Sequence, residues 1–306
     1  MRLVFAGTPA AAIPTLRALA REHDIAAVIT RPDAPLGRKR VLTPSPVALV
    51  AVELNLPVIK TARLDEDATG RVASLRPDLG VIVAYGGLVR EPLLSAPVHG
   101  WINLHFSLLP QWRGAAPVQR ALIAGDSRLG ASIFQLVPAL DAGDVYAMRT
   151  VDVPADATAD VALDALAADG ARLTADVVAA IADGTATARP QEGEPTVAPK
   201  LTFEDGQLDW TQPVDVVYAR FRGVTPEPGA HTRVGEVRVK ILEAQPAEDA
   251  ASLRPGQLVT TKASLLIGTA TSPLAVTRVQ PAGKPAMAAT DWWRGLRTDE
   301  TLRAGS

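Results

Sequence analysis

The 306-residue sequence predicts an α/β protein, a doubly wound sheet domain followed by a small all-β domain. In the first half, short apolar runs alternate with helical patterns, which is typical of a mostly parallel sheet. Residues 188–200 then contain three prolines and no hydrophobic periodicity, as a linker does. Beyond them, short alternating runs separated by Gly and Pro indicate a small β-barrel or sandwich.

Each apolar run of the first half is four to seven residues long and rich in Val, Ile or aromatic residues, which favours strands. Gly7-Thr8-Pro9 supplies a tight turn, an N-cap and a proline at the first helical position. The predicted strands are 3–6, 25–30, 79–84, 101–106 and 131–137, and the helices are 9–21, 45–54 and 157–182. After the linker, we predict a helix over 214–221 and strands over 236–243, 258–262, 265–269 and 273–280.

Composition excludes several function classes. The chain has no cysteine, so disulfides, thiol nucleophiles and cysteine-ligated metals are excluded. With only four histidines, no metal-ligand set is evident, and we expect no metal. No apolar run reaches the ~20 residues of a membrane helix, and no targeting segment opens the chain. We therefore expect a cytoplasmic protein with no membrane partner.

Charge is unevenly distributed, although the net charge of −2 argues against bulk nucleic-acid binding. Residues 152–215 contain thirteen acidic and three basic residues, a balance of −10. Residues 216–297 contain eleven basic and six acidic residues, a balance of +5. A polyanion can therefore find local positive surface, but solvated faces of differing charge explain the same counts equally well.

Asn103 and His105 are separated by Leu104 on a predicted strand. The period of two places both polar side chains on one face of the sheet, near the carboxyl end where open α/β sheets bind ligands. The pair therefore predicts a catalytic or binding site, against the alternative of a core strand that ends in polar residues. The loop that follows, residues 107–117, exposes apolar residues among turn formers and suits the wall of a pocket, or a cover over the core.

Two further segments carry candidate residues. Asp141, in Leu140-Asp-Ala-Gly-Asp144, follows a strand and is a candidate to orient the imidazole of His105, although Asp-Ala-Gly also makes an ordinary turn. Residues 31–40 form a basic loop, which is either a solvated excursion or an arm that reaches for phosphates. The first turn lacks Gly-x-Gly-x-x-Gly and no acidic residue follows the second strand, which disfavours a nicotinamide-dependent dehydrogenase.

The run Asn103-Leu-His-Phe-Ser-Leu-Leu-Pro-Gln-Trp-Arg-Gly-Ala-Ala-Pro-Val-Gln119 resembles the signature of the folate-dependent formyltransferases. Further matches are Phe5-Ala-Gly-Thr-Pro9, Val83-Ala-Tyr-Gly86 and Gln280-Pro-Ala-Gly-Lys-Pro-Ala-Met287, so that the resemblance covers nearly the whole chain. It implies a Rossmann-like formyl-transfer domain at 1–187, a linker at 188–204 and an OB-like tRNA-binding barrel at 205–306.

The same resemblance implies the functional residues and the substrates. Asn103, His105 and Asp141 would be the catalytic residues, and Ser107, Leu108, Leu109 and Pro110 would line the folate site. Arg38, Lys39 and Arg40 would contact tRNA. The donor would be 10-formyltetrahydrofolate, the acceptor the amino group of methionyl initiator tRNA, and the enzyme a monomer.

Two other functions remain open at this point. A formyltransferase that acts on a sugar-nucleotide amine or a purine precursor can share Asn103, His105 and Asp141, but it has no evident need for the basic loop. A catalytically silent RNA-binding protein accounts for the loop and the barrel, but not for the Asn–His pair. The identity of the amine that accepts formyl discriminates among the three.

Overall fold

The computed structural model describes residues 1–37, 39–296 and 302–305, and it divides into two compact units. The first unit comprises Met1–Pro117, Arg128–Val153 and Leu163–Ala198. The second comprises Val118–Ser127, Pro154–Ala162 and Pro199–Ser306. No helix of the described ranges is long and apolar enough to cross a membrane.

The first unit is built on a seven-stranded sheet, which confirms the predicted α/β class. Its strand order is β10-β9-β7-β6-β1-β2-β5. Strands β7, β6, β1, β2 and β5 run parallel to one another, and β9 runs antiparallel to both of its neighbours, β7 and β10. The strands of this unit are β1 (Arg2–Gly7), β2 (Asp24–Thr30), β3 (Ala34–Leu36), β4 (Val41–Thr43), β5 (Val58–Lys60), β6 (Leu79–Val83), β7 (Trp101–His105), β8 (Arg113–Gly114), β9 (Leu129–Gln135), β10 (Val145–Val151) and β11 (Val197–Ala198).

Burial explains why the central strands read as continuous apolar runs. Val4, Phe5, Ile29 and Val81 are all fully buried, although successive residues of a strand point to opposite faces. A parallel strand that is covered on both faces has this pattern. The sheet edge is different: β10 contains only half-buried and exposed residues, and its sequence did not predict a strand.

Helices connect these strands, and local capping fixes where two of them begin. Ser45 Oγ accepts a hydrogen bond from the backbone N–H of Ala48, and Asp65 accepts one from Ala68, both at 3.0 Å. The helix predicted at 9–21 is a short 3-10 turn followed by an α-helix. The first five helices of the chain are α1 (Ile13–Glu22), α2 (Pro46–Glu53), α3 (Glu66–Ser74), α4 (Pro117–Ala124) and α5 (Ala159–Ala182).

Two small ladders lie outside the main sheet. β3 and β4 form an antiparallel hairpin within the basic loop. β11 pairs in parallel with β8, so part of the segment predicted to lack regular structure lies against the loop that follows β7. The sequence at 197–198 is too short for periodicity to reveal this pairing.

The second unit contains a curled antiparallel sheet of order β12-β13-β16-β15-β14, with β17 paired to β16. Register shifts between Ile241 and Ala244 bend β13, as β-bulges do. A core that includes Trp210, Phe221 and Trp292 packs within this unit. Its elements are α6 (Val214–Val224), β12 (His231–Val234), β13 (Val237–Pro246), β14 (Leu258–Thr260), β15 (Leu265–Ile267), β16 (Leu274–Pro281), β17 (Met287–Ala288) and α7 (Ala289–Gly295).

Candidate active site

Strand β7 positions the Asn–His pair from the middle of the sheet, between β6 and β9. Asn103 pairs with Ile82 on one side and Phe134 on the other. Leu104 points to the opposite face, where its side chain contacts α5 at Gly170. A Cβ at Gly170 would lie 2.9 Å from the Leu104 methyl carbons, so glycine permits the helix to approach the strand this closely.

His105 is buried, with 5% of its surface exposed, and one hydrogen bond determines its tautomer. Its Nε2 lies 2.8 Å from the carbonyl oxygen of Trp112. Because a carbonyl only accepts, Nε2 must carry the proton and donate it. In the neutral imidazole Nδ1 is then unprotonated and has a lone pair that can accept a proton.

The environment of His105 keeps that lone pair available. Burial lowers the pKa of His105 below its usual value, because the buried imidazolium loses its hydration. The charge of Asp141 and the carbonyl of Trp112 oppose this shift but do not cancel it. His105 is therefore neutral at pH 7 and can act as a base.

Asp141 lies beside His105 but is not hydrogen-bonded to it. Its Oδ2 is 3.9 Å from Nδ1 of His105 and accepts a hydrogen bond from the backbone N–H of Gly114 at 2.7 Å. The sequence makes Asp141 a candidate to orient the imidazole; in the structure Asp141 faces Nδ1, and the carbonyl of Trp112 makes the hydrogen bond to Nε2. At this distance the carboxylate favours the imidazolium through its charge when Nδ1 takes up a proton.

Asn103 has an unused hydrogen-bonding group. Its Oδ1 is buried and has no hydrogen-bond partner in the part of the chain that the structure describes. Buried amide oxygens are almost always paired in folded proteins, so an unpaired one needs an explanation, and a donor group of a bound ligand is one. Asn103 is therefore suited to bind a polar substrate group next to His105.

The four residues predicted to line the folate site form a tight turn after β7. Ser132 Oγ donates to the carbonyl oxygen of Ser107 at 2.6 Å and accepts from the N–H of Leu109 at 3.1 Å. Ser107, Leu109 and Pro110 are buried, and Leu108 is half-buried. Their contact with folate stays a prediction.

An open cavity of about 650 Å³ lies in the same unit. Its lining differs from the predicted folate residues and includes Leu94, Val98, Gln135 and Tyr146. The Tyr146 hydroxyl donates to Gln135 Oε1 at 2.8 Å on this wall. The whole lining comes from four separate segments, 91–100, 135–138, 146 and 181–186, so no local sequence pattern identifies it.

The basic loop is an exposed hairpin. Lys39 and Arg40 lie in its turn and are exposed, whereas Arg38 lies outside the described residues. Arg40 has a φ of 50°, and its N–H donates to the Gly37 carbonyl at 3.1 Å. At the start of the hairpin, Lys60 forms an ion pair with Asp33 at 2.6 Å.

Sequence reasoning missed two residues that hold the site together. Gln191 and Thr196 belong to the proline-rich segment, and they bond to the loops that contain Asp141 and Trp112. No sequence signal identifies them, because isolated polar residues among prolines and glycines are typical of any linker.

Both halves of the chain are similar to formyl transferases. The Formyl transferase model matches residues 1–178, and the model of the Formyl transferase C-terminal domain matches residues 200–297. A methionyl-tRNA formyltransferase of Leifsonia xyli subsp. xyli is 62% identical over 302 residues, which are 99% of this chain and 100% of that protein. One from Clavibacter sepedonicus is 58% identical over 303 residues, 99% of each chain.

The fold is also similar to a solved structure. The crystal structure of HypX from Aquifex aeolicus in complex with tetrahydrofolic acid aligns with a TM-score of 0.62 at 18% sequence identity. The alignment covers 95% of this chain and 46% of that one. At this identity, the likeness concerns the fold.

Proposed function

Since this chain belongs to the formyl transferase family, we propose that it transfers a formyl group from 10-formyltetrahydrofolate to the α-amino group of methionyl initiator tRNA, for translation initiation. The observation that carries this function is the 62% identity to a methionyl-tRNA formyltransferase over the whole length of both chains. The neighbouring Asn103 and His105 supply the chemistry that acyl transfer requires.

The amine nitrogen bonds to the formyl carbon and negative charge develops on the formyl oxygen; the bond from that carbon to N10 of the folate then breaks, and N10 leaves with a proton returned by the base. A site that accelerates it must donate a hydrogen bond to that oxygen and take a proton from the nitrogen. Asn103 is the donor, through the Nδ2–H of its side-chain amide, and its Oδ1, which has no partner among the described residues, can accept from a donor group of the substrate. His105 accepts the proton at Nδ1, because Nε2–H is held by the Trp112 carbonyl.

Asp141 assists without taking the proton itself. When His105 becomes an imidazolium, the carboxylate 3.9 Å from Nδ1 stabilises the new positive charge. Both side chains are largely buried, which strengthens this interaction relative to water. A free α-amine has a pKa of ~7.7–8.0, so a useful fraction of the nucleophile is already neutral.

We assign folate binding to Ser107, Leu108, Leu109 and Pro110. These residues follow directly after His105, and Ser132 holds their turn in a fixed shape. The tetrahydrofolate in the HypX structure supports a folate as the donor class. The choice of 10-formyltetrahydrofolate follows from the resemblance of residues 103–119 to the folate-dependent formyltransferases, and it fits the delivery of a carbon at the formyl level.

We assign acceptor binding to Arg38, Lys39 and Arg40 and to an OB-like barrel in the carboxyl-terminal domain. Lys39 and Arg40 are exposed, as phosphate-binding side chains must be. Arg303 bridges to Gln257 and Ala304 bridges to Val234, so the described end of the chain lies beside both edges of the curled sheet. This arrangement supports a closed barrel.

The remaining assignments follow from the same proposal. The formyl-transfer domain comprises residues 1–187, the linker 188–204 and the tRNA-binding domain 205–306. The enzyme acts in the cytoplasm, where charged tRNA and reduced folate are both present. It acts as a monomer. Neither the fold nor the chemistry calls for a second copy or a metal ligand.

The test is an assay of formyl acceptance. The purified protein is incubated with 10-formyltetrahydrofolate and either methionyl initiator tRNA, the same tRNA without its amino acid, or an amino-sugar nucleotide. We expect formyl transfer to the charged tRNA alone. Transfer to the sugar amine but not to the charged tRNA would replace the proposed acceptor, and no transfer to any of them would contradict a formyltransferase.

A further inference from the structure

The imidazole of His105 lies between two loops, and both loops are hydrogen-bonded to the same short segment. One loop contains Trp112, whose carbonyl accepts from Nε2, and the other contains Asp141, whose carboxylate faces Nδ1. Residues 191–196, here called the strap, contribute a side chain to each loop. All of these residues belong to the first unit.

We propose that Gln191 and Thr196 are positioning residues of the formyl-transfer site. Neither residue contacts a reacting atom. They fix the carbonyl of Trp112, which orients His105, and the carboxylate of Asp141, which stabilises the imidazolium. The inference rests on the proposed function, because it concerns the base of that reaction.

Gln191 uses its whole amide to join the two loops. Its Nε2 donates to the carbonyl oxygens of Asp141 at 2.8 Å and Gly143 at 2.9 Å. Its Oε1 accepts from the Arg113 guanidinium, from Nη2 at 2.6 Å and from Nε at 3.1 Å. The loop after β7 and the loop after β9 are therefore clamped to each other through one side chain.

The turn that Gln191 holds needs external support. Asp141 has a φ of 45°, a left-handed conformation that is unfavourable for a residue with a Cβ. A Cβ at Gly143 would overlap the carbonyl oxygen of Gln135, so the turn packs tightly against the end of β9. The two donors of Gln191 stabilise this conformation, and with it the direction of the Asp141 carboxylate.

Thr196 does the same for the carbonyl that bonds to His105. Its Oγ1 accepts from the N–H of Trp112 at 2.8 Å and donates to Gln111 Oε1 at 2.9 Å. Its own carbonyl oxygen accepts from the N–H of Arg113 at 2.9 Å. The Trp112 peptide is thus fixed on both sides, and its carbonyl oxygen keeps Nε2 as the protonated nitrogen.

Loss of these bonds should affect the rate of the chemical step more than substrate binding. A displacement of about 1 Å in a catalytic group costs roughly 10²-fold in rate. If the Trp112 carbonyl moves, the proton of neutral His105 is free to occupy Nδ1, and the base is lost in that fraction of molecules. The substrates contact neither Gln191 nor Thr196 in this scheme, so their KM values should change little.

The test compares matched variants of the full chain. Gln191→Glu keeps the oxygen that pairs with Arg113 but replaces the donor with an acceptor that faces two carbonyls. Thr196→Val removes the hydroxyl at constant shape, and Thr196→Ser restores it. Glu192→Gln is the control, because Glu192 is the exposed neighbour in the strap and is not part of these contacts. For each variant we would measure kcat, both KM values, the melting temperature and the ¹⁵N chemical shifts of His105.

We expect Gln191→Glu and Thr196→Val to lower kcat by about ten- to a hundred-fold at nearly constant KM. Thr196→Ser and Glu192→Gln should retain wild-type kcat. The ¹⁵N shifts, which need no substrate, should report Nε2–H in the wild type and a mixture of tautomers in Thr196→Val.

Normal kcat per folded molecule in Gln191→Glu, or an unchanged tautomer in Thr196→Val, would overturn the inference. If Gln191 and Thr196 only stabilise the fold, their variants should keep a normal kcat and an unchanged His105 tautomer but melt at a lower temperature. Failure of the proposed function is separate, because it would appear as a wild-type enzyme that does not formylate charged tRNA.

Discussion

The strand that contains Asn103 and His105 and the hairpin that contains Lys39 and Arg40 are held in the fold in opposite ways. β7 lies between two partner strands, and His105 is buried and bonded to a backbone carbonyl. The hairpin pairs only with itself among the described residues, and Leu36 and Leu42, at 66% and 67% exposure, are both on its surface.

The difference in burial and accessibility suits the roles that we propose for the two regions. A base and an oxyanion donor work only if they are already in place and shielded from water, because reorganisation during the reaction costs rate. A phosphate-binding segment must instead remain accessible to a large polyanion. We therefore expect variants of the strand to change kcat and variants of the hairpin to change KM for tRNA.

The largest expected effect is that of replacing His105, the proposed base. His105→Ala should lower kcat by about 10²–10⁴-fold, the usual contribution of general acid–base catalysis. His99→Ala, at an exposed histidine of the same unit, is the matched control and should retain activity. Stopped-flow or quenched formyl transfer measures both, and equal rates in the two variants would contradict the assignment.

The next largest effect is that of replacing Asn103, the proposed oxyanion donor. Asn103→Asp keeps the shape of the side chain but replaces its NH₂ donor with an acceptor, and Asn103→Ala removes both. Each should lower kcat by about 10²–10³-fold, the cost of one oxyanion-hole donor. Circular dichroism should remain that of the wild type. Should Asn103→Asp transfer formyl at the normal rate, Asn103 does not contact the formyl oxygen.

A smaller effect is expected from the hairpin. Replacement of Arg38, Lys39 and Arg40 by alanine should raise KM for tRNA and leave folate binding unchanged. It should also reduce the slope of log K against log salt by about 0.7–0.9 for each phosphate that the protein no longer neutralises. Alanine at Arg21, Arg63 and Arg71, which are exposed elsewhere in the same unit, controls for net charge. A tRNA affinity and salt slope equal to those of this control would exclude the hairpin from acceptor binding.

The smallest effect is on acid stability. His105 has a lowered pKa in the folded protein, whereas it titrates near 6.5 in the unfolded chain. Between those two pKa values the unfolded state holds more protons, so the free energy of unfolding falls as pH decreases below ~6.5. One group contributes no more than about 1.4 kcal/mol per pH unit.

His105→Gln should therefore unfold with a shallower pH dependence than the wild type in this range. Urea unfolding between pH 5 and 7.5 measures the difference, which isolates His105 from the other titrating groups. Parallel pH profiles for the two proteins would mean that His105 is not held neutral by the fold.

The sequence predicted much of this organisation, for physical reasons that can be traced. Apolar runs such as those of β1 and β2 identified the parallel sheet, because strands buried on both faces leave no polar positions. The period of two placed Asn103 and His105 on one face of β7. The short ladder of β11 with β8 could not be predicted from the sequence, because two residues are too few to show a periodicity.

The hydrogen-bond partners of His105 and Asp141 could not be predicted from the sequence for a different reason. The Trp112 carbonyl belongs to the backbone, so no residue type at that position reveals that it accepts from Nε2. Gln191 contacts Asp141 across fifty residues of sequence, and only the fold brings them together. Polar contacts that cross loops in this way are set by tertiary structure and leave no local pattern.

One measurement tests the separation of chemistry from acceptor binding most directly. Single-turnover formyl transfer to methionyl initiator tRNA is followed at rising tRNA concentrations for the wild type, Asn103→Asp and the Arg38/Lys39/Arg40 triple variant. We expect the triple variant to reach the wild-type rate at saturating tRNA, and Asn103→Asp to remain at least about 10²-fold slower at every concentration. A triple variant that stays slow at saturation, or an Asn103→Asp enzyme that recovers with more tRNA, would contradict this separation.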